Sequence, residues 1–93
     1  MQGAWKRLVL MPLLAVPAAA VPPSPQPFRD HCSVCHGDAG EGMVGPTIRP
    51  LAITPADARM VVREGRGQMP PIAPRQLSDG ALDAILSFLT GAR

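Results

Sequence analysis

The sequence predicts an all-α fold in which short helices and long Gly/Pro loops wrap around a group that the chain's own side chains do not supply. Three observations carry that prediction. Apolar residues recur at helical spacing in two well-marked segments, 54–65 and 78–91. No stretch shows the alternation of a strand. After the first twenty residues there is no Trp or Tyr, and the only aromatics are Phe28 and Phe88. That is little bulk for a domain so small that one apolar core is marginal without a staple.

In chain order, the first segment reads as an address and not as fold. "MQGAWKR" is a positive n-region, "LVLMPLLAV" a short apolar run, and "PAAA" supplies the small residues of a cleavage site after Ala20. Pro12 and Pro17 interrupt the run, which is shorter than the ~20 residues of a membrane-spanning helix. Residues 1–20 are thus expected to be a secretory signal peptide, with no stable membrane insertion once it is removed. Residues 21–27, "VPPSPQP", form a Pro-rich lead-in, and 28–93 the folded domain. A first helix is expected to run through "FRDHCSVC", with Ser24 or Gln26 as cap and Pro25 or Pro27 in the first turn. "HGDAGEGMVGPTIRP" (36–50) holds four glycines and two prolines and reads as a loop able to lie close to a flat ligand.

In the second helix Thr54 caps, Pro55 takes the first position, and Asp57 completes a capping-box-like pair; Ala58, Val61 and Val62 share a face and Gly65 ends it. "GRGQMPPIAPRQ" (65–76) is a second Gly/Pro loop. The last helix has Ser78 as cap and Gly91 as stop. Leu82, Ile85, Leu86 and Leu89 form its apolar stripe, widened by Ala81 and Phe88. Loops of this length inside a compact domain are usually functional or wrapped around something.

The charge pattern excludes one class of partner. Without Lys6 and Arg7, seven arginines stand against seven acids. No basic cluster marks a nucleic-acid surface.

Both cysteines lie in "HCSVCHGDAGEG". Four chemistries use such a pair. A closed zinc site needs four ligands, typically two separated pairs, and no His or Cys occurs outside His31, Cys32, Cys35 and His36. A redox dithiol needs a βαβ setting that this chain lacks. A Cys32–Cys35 disulfide suits an exported protein but closes a very small loop, and it leaves His36 and the thin core unexplained. Covalent haem accounts for all of them: two thioethers to one porphyrin, His36 brought under the iron, and apolar bulk added to the core. Opposite His36, Met69 in "GRGQMPPI" is the expected second axial ligand, because a Gly/Pro loop is a poor place for a core methionine. Met11 lies in the signal, Met43 is too close to His36 in sequence to cross the ring, and Met60 reads as partly buried helix packing.

With these residues the sequence resembles the class I c-type cytochromes, in particular the small bacterial periplasmic monohaem type. The resemblance rests on Phe28 four residues before the first cysteine, "CSVCH", "GEG" at 40–42, "GP" at 45–46, "GRGQMP" at 65–70 and "LSDGALDAILSFL". It implies an all-α cytochrome c fold around one covalent haem c, periplasmic, with the first and last helices crossing at Phe28 and Phe88. It also implies that Pro46 offers its carbonyl to the other nitrogen of His36, steadying the ring and raising its basicity. The span from His36 to Met69 is short for the family, which predicts a more exposed propionate edge, and Phe88 stands where many relatives have Tyr or Trp. Arg49, Arg59, Arg63, Arg66 and Arg75 are all candidate propionate partners, each also readable as a solvated charge. His31 reads as exposed and not as a ligand.

The site residues so identified are Cys32, Cys35, His36, Met69 and Pro46, with His36 and Met69 on the metal. The implied activity is electron transfer, Fe(II)/Fe(III), by a carrier and not an enzyme. Electrons are expected to leave near Cys32, Cys35, Val44 and Ile72 to transiently docked redox partner proteins. A weakly ligated haem acting as gas sensor or peroxidase, a haem-bearing subunit of a periplasmic dehydrogenase or oxidase, and a haem-free domain closed by a disulfide are the alternatives.

Overall fold

A computed structural model describes residues 21–91. The fold is all-α: α1 (Gln26–His31), α2 (Ser33–His36), α3 (Pro55–Glu64) and α4 (Asp79–Leu89). Among the described residues no strand forms; the only bridge is an isolated pairing of Arg66 with Met69. The signal expected at 1–20 lies outside the described residues, and no described helix is long and apolar enough to cross a membrane.

The two later helices start where their local chemistry dictates. Thr54 Oγ1 accepts from the Asp57 amide at 3.0 Å, with Pro55 in the first turn, where its missing N–H goes unnoticed. Ser78 Oγ accepts from the Ala81 amide at 3.1 Å. Helix α3 stops at Gly65, whose φ of +81° suits a residue without Cβ. Helix α4 ends at Leu89, with Thr90 as its cap and Gly91 one residue beyond.

The N-terminal segment departs from expectation in two ways. The cap is Pro25, and it makes no side-chain hydrogen bond; neither Ser24 nor Gln26 has that role. The expected single helix is also broken at Cys32, where φ widens to −119° and separates α1 from α2. The Cys35 and His36 amides still donate to Cys32 O, so a tight turn persists across the motif.

The core is built mostly from α4. Leu82, Ile85, Leu86, Phe88 and Leu89 are buried with Phe28 of α1, Ala58 of α3 and Leu77 of the connecting loop. Phe28 and Phe88 meet with ring centroids 5.5 Å apart and planes tilted by 59°, a favourable aromatic geometry. Arg49 covers the outer face of Phe88, its guanidinium carbon 4.8 Å from the ring centroid, while its Nε donates to Phe88 O at 2.8 Å. With Leu51 N–H donating to Leu89 O at 2.8 Å, this pins the first long loop to the end of α4. Met60 is not packed as expected: it is 55 % exposed, because α3 fully buries only Ala58 and turns Met60 to solvent.

Leu82, at 0 % exposure, sits where no surface relaxation can close a gap. Leu82→Ala is expected to cost about 2–5 kcal/mol of folding stability, read as a lower denaturant midpoint of the protein.

Candidate cofactor site

The site is a cavity between the N-terminal motif and the second Gly/Pro loop. It has two adjoining lobes of about 420 Å³ and 220 Å³. Cys32, His36, Pro46, Arg66 and Met69 line both. The outer lobe also has Cys35, Val34 and Val44 at its wall, and the inner one is backed by Val61, Val62, Ile85, Leu86 and Leu89. The size lies in the range of ~300–1,000 Å³ typical of sites for organic cofactors.

Local backbone geometry fixes His36. Helix α2 ends at Gly37, φ +86°, and the chain folds back beneath it. Gly42 N–H donates to His36 O and Gly45 N–H to Cys35 O, each at 2.7 Å. A Cβ on Gly45 would lie 3.0 Å from His36 Cε1 and 3.1 Å from Nδ1, so the loop approaches the ring this closely only because the residue is glycine. His36 Nδ1 is 2.8 Å from Pro46 O. A carbonyl oxygen only accepts, so Nδ1 carries the proton and Nε2 keeps a free lone pair. Nε2 has no protein partner among the described residues, although His36 is buried.

No disulfide joins Cys32, which is half-buried, to Cys35, which is exposed. Burial pushes the Cys32 thiol from 9.0 up to about 11, so as a free side chain it is protonated at neutral pH. No cluster of three or more His, Cys, Asp or Glu suited to a metal ion occurs among the described residues. His31 is half-buried at the rim of the outer lobe, not exposed as expected.

Met69 is delivered by the second loop. Arg66 and Met69 exchange backbone hydrogen bonds of 2.9 and 3.0 Å, closing a tight turn. Gly65 lets that turn fold against the end of α3: a Cβ there would meet Met69 O at 2.8 Å and Pro71 N at 2.9 Å. Met43 and Met60 are exposed and line neither lobe. Among the arginines, Arg59 pairs with Asp83 at 2.5 Å, Arg63 with Asp79 at 2.6 Å, and Arg49 is engaged at Phe88. Arg75 is exposed away from the cavity. Arg66 alone of the five lines both lobes, and its side chain has no hydrogen-bond or ion-pair partner among the described residues.

Two thiols beside a buried imidazole with one free nitrogen, in a cavity that a thioether also lines, make a donor set that fits a covalently attached haem. The family model for cytochrome c oxidase, cbb3-type, subunit III matches residues 24–89. The chain belongs to this family. It is a c-type cytochrome domain, and haem binding comes with that membership. The cytochrome is 39 % identical over 80 residues to dihydro-heme d1 dehydrogenase of Pseudomonas aeruginosa, covering 81 % of this chain and 16 % of the relative. It also matches the solved structure of dihydro-heme d1 dehydrogenase NirN in complex with DHE, with a TM-score of 0.63 and 39 % identity, over 71 % of this chain and 15 % of that one. The cytochrome therefore spans only a small part of these longer proteins.

Sequence reasoning missed one core residue and one feature of the site. One is Leu77, buried just before α4. The other is the close approach at Gly65, which the sequence marked only as a helix stop. Gly65→Ala is expected to lower the thermal midpoint more than Gly67→Ala. Both residues have positive φ, but a Cβ at Gly67 meets nothing within 4 Å. Comparing the two melting curves isolates the contact with Met69 from backbone strain.

Proposed function

We propose that the chain is a one-electron transfer module carrying a single haem c, attached through Cys32 and Cys35 with His36 and Met69 as axial ligands. The observation that carries this reading is that Cys32, His36 and Met69 line one cavity while His36 has its Nδ1–H committed to Pro46, leaving Nε2 for iron. When bound there, the haem supplies an iron that alternates between Fe(II) and Fe(III).

The chain's own residues set the conditions for that exchange. Pro46 holds the imidazole and raises its basicity. Met69 offers a soft thioether, which favours the lower oxidation state. Val61, Val62, Ile85, Leu86 and Leu89 exclude water from the inner side, which disfavours extra positive charge. Arg66 is the guanidinium placed to meet the haem carboxylates. Val34, Met43 and Val44 are 73 %, 67 % and 81 % exposed, and Val34 and Val44 lie on the outer lobe beside exposed Cys35. That apolar rim suits a small, transient contact with a redox partner protein.

The proposed setting is the periplasm, after export by residues 1–20. Work as the haem-bearing part of an oxidoreductase is a second reading. It is favoured by the likeness to a short portion of a dehydrogenase.

Mass spectrometry of the secreted protein is expected to show the added mass of one haem, and Cys32→Ala with Cys35→Ala to abolish it and leave a mostly unfolded chain. Met69→Ala is expected to lower the reduction potential and open the iron to added ligands; an unchanged spectrum and potential would exclude Met69 as the ligand. Arg66→Gln is expected to lower the potential while leaving the axial ligation spectrum intact, as removal of a nearby cation disfavours the more electron-rich state.

A further inference from the structure

We infer that Arg63 is a positioning residue for Met69: its guanidinium clamps the loop that presents the thioether, and so sets how readily the methionine leaves the iron. The inference rests on the reading of Met69 as an axial ligand.

Arg63 lies in the last turn of α3, and its side chain is only 18 % exposed. Its Nη1 donates to two backbone carbonyls of the second loop, Ile72 O at 3.1 Å and Leu77 O at 2.9 Å, and its Nη2 donates to Asp79 Oδ1 at 2.6 Å. The three acceptors lie on the loop's far arm, at its end and in the first turn of α4. Met69 stands between Gly65, where the loop leaves α3, and Ile72, where Arg63 first grips it. One backbone bond assists at the same point, Ile72 N–H to Val62 O at 2.9 Å. The loop segment carrying Met69 is thus tied at Gly65 by close contact and at Ile72 by hydrogen bonds, with Pro70 and Pro71 stiffening the stretch between.

The planar fork is what this geometry needs. One nitrogen serves two carbonyls while the other reaches the carboxylate, and a lysine ammonium offers no such fixed arrangement. The two carbonyl bonds are the important ones. Asp79 is largely exposed, its side chain 78 % accessible, so the ion pair is screened by solvent. Losing the fork leaves Ile72 O and Leu77 O without their charged donor.

The test uses the haem-loaded protein in four variants: Arg63→Gln, Arg63→Lys, Asp79→Asn and Met69→Ala. Two quantities are read in the oxidised state, the far-red methionine–iron absorption band and the rate at which added imidazole binds the iron. Helical circular dichroism is followed alongside. Arg63→Gln and Arg63→Lys are expected to weaken the band and to speed imidazole entry roughly tenfold or more, at temperatures where helical signal is retained. Asp79→Asn is expected to stay near wild type in both readouts. Wild-type band and entry rate in Arg63→Gln, even with a lower melting temperature, overturn the inference and leave a merely structural role. If the Gln variant does not fold, Arg63→Lys decides: full rescue of band and rate overturns the fork, and a persistent defect supports it. An unaltered band in Met69→Ala is a separate result, which removes the ligand reading itself.

Discussion

The last helix must satisfy two neighbours at once, and the rest of the molecule is arranged around that demand. On one side Phe88 meets Phe28 of α1. On the other, Ile85, Leu86 and Leu89 form the back of the cavity. A chain with two aromatic residues in its described part has little apolar surface to spare. It gathers most of that surface on α4 and uses it twice, once to join the N-terminal motif and once to wall the cofactor site. Because α1 leads directly into the cysteines and His36, the Phe28–Phe88 contact also places the attachment motif against that wall.

The two long loops are held by hydrogen bonds more than by burial. In the first, backbone amides of Gly42 and Gly45 return to the carbonyls of α2, and Pro46 O accepts a hydrogen bond from His36 Nδ1. In the second, Arg63 and the Arg66–Met69 turn do the corresponding work. Loops this polar can be accommodated in a small domain because their backbone groups find partners within the chain. Glycine enters where chain passes within contact distance of chain, as at Gly45 over His36 and at Gly65 under Met69. Anchoring on both sides of the cavity suits the electron-transfer role proposed above, since a site that moves little keeps reorganisation small.

The arginines illustrate how a composition resolves into separate roles. In the sequence, Arg49, Arg59, Arg63, Arg66 and Arg75 are equivalent candidates for a carboxylate. Folding engages Arg49 with an aromatic face, Arg59 with an acid across two helices, and Arg63 with loop carbonyls. Arg66 is left at the cavity with its side chain uncommitted among the described residues. The helix cap at Pro25, the break at Cys32 and the exposure of Met60 show the same limit on a smaller scale.

The all-α class, the two capped helices, the apolar stripe of α4 and the cysteine–histidine motif were all legible in the residues alone. These follow from interactions within three or four residues: Thr54 with Asp57, Ser78 with Ala81, the helical period of Leu82 to Leu89. It took the folded chain to show that His36 and Met69, more than thirty positions apart, share one cavity, that His36 Nε2 has no partner among the described residues, and which arginine lines that space. Such relations depend on how loops close and on which polar group reaches a partner first, and no local rule of propensity or spacing specifies the path of a Gly/Pro loop.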